Sequence, residues 1–102
     1  MRCSKETKKE LKIWADKVKS YWQGCAICGE TKRLNAHHLI PKEIKEHRFD
    51  IENGIALCPK HHRFSFKLSA HQNPIAFVMW LEENLPEKLK IIKSKINKIG
   101  FI

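Results

Sequence analysis

Long apolar runs are missing from this sequence. None approaches the roughly 18 residues that a membrane-spanning helix needs, and the opening stretch MRCSKETKKELK has no apolar core of the kind a secretory signal carries. The expectation is a cytoplasmic protein, bacterial or from a phage-infected cell, with no membrane partner. Internal repeats, low-complexity tracts and linkers are missing too, and Gly and Pro number only 4 each in 102 residues. That excludes a solenoid or a string of tethered modules, and a single domain over 1–102 is expected. Acidic side chains are scarce: 11 Asp and Glu stand against 20 Lys and Arg, a net charge of +9. Such an excess favours an anionic partner, although charge alone does not choose between nucleic acid and a membrane surface.

Cysteine is also sparse, and its placement matters more than its number. Disulfides rarely persist in a reducing compartment, where clustered cysteines more often bind metal. Cys25 and Cys28 form a CxxC, and Cys58 opens a second pair, Cys58-Pro-Lys-His61. Zinc takes four soft or borderline ligands in a tetrahedron, and a two-residue gap lets one turn supply two corners. Cys25, Cys28, Cys58 and His61 are therefore expected to hold a structural Zn2+, with Cys3 or His62 as the substitutes for a fourth ligand. Cys3 itself reads as a free thiol near the N-terminus.

Hydrophobic periodicity orders the rest. Leu11, Trp14, Val18 and Tyr21 recur every three or four residues and mark an amphipathic helix over about 4–22, which Gly24 ends. Leu34 to Ile40, bounded by Pro41, fits a strand, with Ile55-Ala-Leu57 as its partner and a polar loop between them. Pro59 suits the first turn of a helix running to about Leu68. Asn73-Pro74 caps a further helix, and Pro86 restarts the pattern, with Leu89, Ile92, Ile96 and Ile99 marking its apolar stripe. The resulting class is α+β: a zinc-clamped ββα core over about 25–68, an N-terminal helix, and C-terminal helices over 74–99.

The segments Ala36-His37-His38-Leu39-Ile40-Pro41, Asn53-Gly-Ile-Ala-Leu57 and Cys58-Pro-Lys-His61-His62 together resemble the HNH nucleases, also called ββα-metal or His-Me finger nucleases, in a zinc-knuckle form. The likeness covers about 25–68 and rests on order and spacing: a His pair, an Asn 15 residues on, and a His nine beyond that, nested inside the CxxC and CxxH pairs. It implies an endonuclease that hydrolyses DNA phosphodiester bonds with weak sequence specificity, nicking or cutting both strands. His37 and His62 would bind a catalytic divalent ion (Mn2+, Mg2+, Ni2+, Co2+ or Zn2+), His38 would be the general base, and Asn53 would pin the loop and orient His38. Adjacent strand residues point to opposite faces, so His37 and His38 would approach a phosphate from different directions.

This chain departs from the family pattern in two places. His37 stands where many relatives have Asp, which favours softer ions than Mg2+ unless Asp50 or Glu52 joins the shell. Phe66 stands where some relatives carry a further His, and His71 is left open as its replacement. Lys42, Lys45, Arg48, Lys60, Arg63 and Lys67 flank the proposed centre as candidate phosphate contacts. Lys88, Lys90, Lys93, Lys95 and Lys98 read as the wet side of the last helix, and Trp14, Trp22, Phe77 and Trp80 as core. The main alternative is a zinc module that binds nucleic acid without cutting it. Homodimerisation, and a setting in phage packaging, a mobile element or a restriction system, are left open by the residues.

Overall fold

A computed structural model describes residues 5–99, so Cys3 lies outside the described residues. The fold is α+β: helix α1 (Lys5–Trp22), strand β1 (Asn35–His38), a loop holding two short 3-10 turns, strand β2 (Gly54–Leu57), one wide turn, and helices α2 (Pro74–Asn84) and α3 (Pro86–Ile99). Trp14 and Val18 are the buried stripe of α1. Tyr21, expected to share that stripe, is 73% exposed, while Trp22 packs against the core in its place. The helix closes one residue earlier than its glycine: Gln23 takes the left-handed conformation, φ 60°, with its N–H on the Lys19 carbonyl at 2.8 Å. Gly24 serves a close approach instead, since a Cβ there would lie 3.0 Å from the Gly29 carbonyl oxygen.

β1 and β2 pair antiparallel, with His37 opposite Ile55 and His38 opposite Gly54. Side chains directly opposite share a face, so this register sorts the whole molecule. Ile55 and Leu57 face a core completed by Phe77 and Leu81 of α2, together with Cys25, Cys58 and Ala70. The other face meets α1 at Gly54. That glycine has ordinary extended dihedrals, and its small size is what matters: a Cβ would sit 2.4 Å from Val18 Cγ2 and 2.8 Å from Trp14 Cζ2.

The helix expected from Pro59 to about Leu68 is cut short to a single π-type turn, Lys60–Phe64. Two serines account for this. Ser65 swings to extended backbone, φ −76° and ψ 124°, and its Oγ accepts the Leu68 N–H at 3.1 Å. Ser69 Oγ accepts the Gln72 N–H at 3.1 Å. Hydroxyls that satisfy nearby N–H groups compete with helical bonding. The chain then doubles back, with Ala70 N–H on the His61 carbonyl at 2.9 Å and His71 N–H on the His62 carbonyl at 3.0 Å. Asn73 caps α2 by accepting the Ala76 N–H at 3.1 Å.

Candidate active site and metal centre

Cys25, Cys28, Cys58 and His61 converge, with one donor atom from each lying within 4.8 Å of all the others. Cys28 and Cys58 Sγ are 3.7 Å apart, and His61 Nδ1 lies 3.3 Å from Cys58 Sγ and 3.8 Å from Cys25 Sγ. A tetrahedral zinc with bonds of about 2.3 Å to sulfur and about 2.0 Å to nitrogen has edges of roughly 3.5 to 3.8 Å, so the donor set fits that ion. The turn that presents the first pair is fixed by Gly29 N–H on the Cys25 carbonyl at 2.8 Å, and it is tied to β2 by Ala26 N–H on the Ala56 carbonyl at 2.9 Å. Burial, with the neighbouring Cys28 and Cys25 thiols, pushes the Cys58 thiol up to about 11 against the opposing pull of the His61 N–H. A cation would reverse that preference, because thiolates packed this closely repel one another without one.

His62 points elsewhere. Successive residues of a helical turn point in different directions, so His61 faces the cysteines while His62 reaches the face of β1 that carries His37. His37, His62 and His71 form a second group whose donor atoms lie within 4.8 Å of one another. His62 and His71 Nε2 are 3.1 Å apart, and the His37 ring stands 5.2 Å from that of His62 and 5.1 Å from that of His71, edge to face in both pairs. Burial, then the neighbouring His62 and His71, depress His37 to about 3. Burial, then His71 and Arg63, depress His62 to about 4. Both rings are therefore neutral near pH 7, with lone pairs ready for a cation. Three imidazoles with no carboxylate suit Mn2+, Co2+, Ni2+ or Zn2+ better than Mg2+.

His71 is the member of this group that sequence reasoning left open. It follows His62 by nine positions, and only the doubling back of the chain at Ser65 and Ser69 brings it in. Asp50 and Glu52 stay out: Lys95 Nζ lies 2.8 Å from Asp50 Oδ2 and 3.4 Å from Glu52 Oε1, and Asp50 also pairs with His47 Nδ1 at 2.7 Å.

His38 sits on the opposite face of β1 from His37. Its Nε2 is 2.9 Å from the Arg48 carbonyl oxygen. A carbonyl can only accept, so Nε2 carries the proton and Nδ1 is left as a bare acceptor. Asn53 is fully buried. Its Oδ1 accepts the Ile40 N–H at 2.6 Å, and its Nδ2 donates to the carbonyls of Ile40 at 3.0 Å and His47 at 3.2 Å. It makes no bond to His38. It closes the loop in which Arg48, the residue after His47, supplies the carbonyl for His38.

His37, His38, His62 and His71 line one depression of about 360 Å3, bordered by Pro41, Lys42, Glu43 and Arg63. Lys45, Lys60 and Lys67 are exposed outside it. Arg48, expected among the phosphate contacts, is 7% exposed, with Nε donating to the Lys42 carbonyl at 2.7 Å. It is an internal brace of the loop, because its guanidinium satisfies a carbonyl that the irregular backbone leaves open. Two lysines assigned to the wet side of α3 also differ from expectation: Lys95 holds Asp50 and Glu52, and Lys88 Nζ donates to the Glu52 carbonyl at 2.9 Å and lies 5.4 Å over the Trp22 ring.

The strand pair and the turn after it bring together a four-donor cluster and an imidazole cluster, each of which could hold a metal ion, within an α+β fold. Residues 25–65 match the family model of the HNH endonucleases. No curated protein and no solved structure matches the chain. The matched segment holds the Cys25/Cys28 and Cys58/His61 pairs, His37, His38, Asn53 and His62. His71, Trp14 and the strapping lysines lie outside it.

Proposed function

We propose that this chain is a metal-dependent endonuclease that hydrolyses phosphodiester bonds of DNA. The single observation that carries the reading is one depression that holds three convergent imidazoles beside a fourth, His38, with a bare Nδ1. His37, His62 and His71 are the proposed ligands of the catalytic ion. Such an ion, when bound, acts as a Lewis acid toward the phosphate and the leaving 3′-oxygen. Lys42 and Arg63 attract and hold backbone phosphates, giving weak sequence preference. His38 Nδ1 takes a proton from the attacking water as its oxygen bonds to phosphorus, and the imidazolium formed shares its Nε2–H with the Arg48 carbonyl. The P–O3′ bond breaks, leaving a 5′-phosphate and, once protonated, a 3′-hydroxyl. Asn53 keeps the Arg48 carbonyl in place. The cysteine cluster holds structural zinc and does no chemistry.

The test is conversion of supercoiled plasmid to nicked or linear forms by zinc-loaded protein with Mn2+. Cleavage should match or exceed that with equal Mg2+, as an all-imidazole shell requires. His38→Ala should abolish cutting and leave DNA binding largely intact. Folded, zinc-loaded protein that binds plasmid but never converts it would support the non-catalytic zinc module instead.

A further inference from the structure

His38 is gripped from a direction that the HNH segment does not supply. The Trp14 indole of α1 lies flat on the His38 imidazole, with ring centroids 3.8 Å apart and planes 11° apart. Trp14 is 3% exposed, and its Nε1–H donates to the Asp50 carbonyl at 2.7 Å, which fixes the indole in turn. Asp50 is itself held by His47 and Lys95. The indole reaches this place because the residue opposite His38 is Gly54, whose missing side chain leaves room for Trp14 Cζ2.

We propose that Trp14 is a positioning residue for the cleavage reaction: its flat face sets the plane of the His38 ring so that Nε2–H meets the Arg48 carbonyl and Nδ1 is presented to the depression. This rests on the reading of His38 as general base. A hydrogen bond at one edge fixes a point on an imidazole but leaves the ring free to pivot about it. A rigid face stacked on the ring removes that pivot while keeping both nitrogen edges open, as an acceptor of a water proton requires. An aliphatic side chain could fill the same volume without defining a plane.

Two substitutions separate these roles. Trp14→Phe keeps a flat face and loses the N–H, whereas Trp14→Leu keeps apolar bulk and loses the face. In zinc-loaded, folded protein the Leu variant should cut DNA roughly tenfold to hundredfold more slowly in a single turnover, the scale expected of a misaligned reacting group. DNA affinity should be unchanged, and the Phe variant should recover most of the rate. The parent protein gives a readout independent of activity. Its His38 ring protons should be shifted upfield by the indole and show an Overhauser contact to Trp14, and ring nitrogen shifts should report the Nε2–H tautomer. A Leu variant as fast as the parent, a Phe variant as slow as the Leu one, or an Nδ1–H tautomer would each overturn the proposal. If the Leu variant does not fold, the parent spectrum and the Phe variant's rate decide. A parent that cuts no DNA overturns the nuclease reading and this role with it, whereas a normal parent with an equally fast Leu variant overturns this role alone.

Discussion

Asn53 shows how one side chain can decide the shape of a loop. It is fully buried, and its amide meets three backbone groups, two on Ile40 and one on His47. Asn53→Ala would leave those groups unpaired in a dry interior, at about 1 to 3 kcal/mol each before relaxation. Chemical denaturation should show a loss of several kcal/mol, and cleavage should fall even where the protein stays folded, because the Arg48 carbonyl loses its anchor. The histidines make a separate prediction. Folded-state values of about 3 for His37 and about 4 for His62 lie below the ordinary imidazole value of about 6.5. Below that ordinary value the unfolded chain takes up protons that the folded chain refuses, so folding stability is full above about pH 6.5 and declines as pH falls toward about 4. Urea titrations at stepped pH, with zinc at one equivalent per chain and no other divalent ion, should show midpoints falling in that direction. Midpoints that stay level or rise would contradict the burial described for these rings.

At the scale of elements, the sequence made the parts with strict local rules legible. The CxxC and CxxH spacings brought out Cys25, Cys28, Cys58 and His61, and strand alternation separated His37 from His38. The Asn73-Pro74 cap and the Pro86 restart gave the C-terminal helices their starts. What escaped was set by side-chain hydroxyls and by distant partners. Pro59 announces a helix, yet Ser65 and Ser69 divert backbone N–H groups and turn the chain back, and no periodicity signals that His71 returns to His62. Arg48 looked like a surface cation because charge says nothing of the Lys42 carbonyl that draws it inward. The four-donor cluster gives the prediction for this scale. Cys28 is its exposed member, so Cys28→Ser removes a ligand with little change in packing. Zinc content should fall well below one per chain, and the variant should unfold at a lower temperature than the parent, since metal affinity in such a small core is folding free energy. A variant that is zinc-free yet equally stable would show that the clamp is dispensable.

For the whole molecule, the flanking helices brace the HNH segment from outside. α1 brings Trp14 and Val18 onto Gly54, while α3 sends Lys88 and Lys95 to the 50–52 stretch of the loop. With Lys88 and Lys95 engaged there and Arg48 turned inward, the cations left for a phosphate backbone include Lys42 and Arg63 at the depression, with Lys45, Lys60 and Lys67 exposed outside it. DNA affinity should fall as salt rises, with a log–log slope of about 0.9 per phosphate contact. Removing one cation at the depression, as in Arg63→Ala, should lower that slope by roughly one. Binding curves of parent and variant at several salt concentrations check this, and an unchanged slope would place the DNA elsewhere.

His61 and His62 are neighbours on one turn, yet they serve different clusters. A single peptide bond is therefore the shared hinge pin of two pockets. Side-chain substitutions can empty either pocket alone, but an insertion or deletion at this bond would turn one imidazole away from its cluster whenever the other stays seated. Either cluster can thus lose a donor by substitution without moving the other, whereas the length of chain between Cys58 and His62 sets the aim of both imidazoles at once.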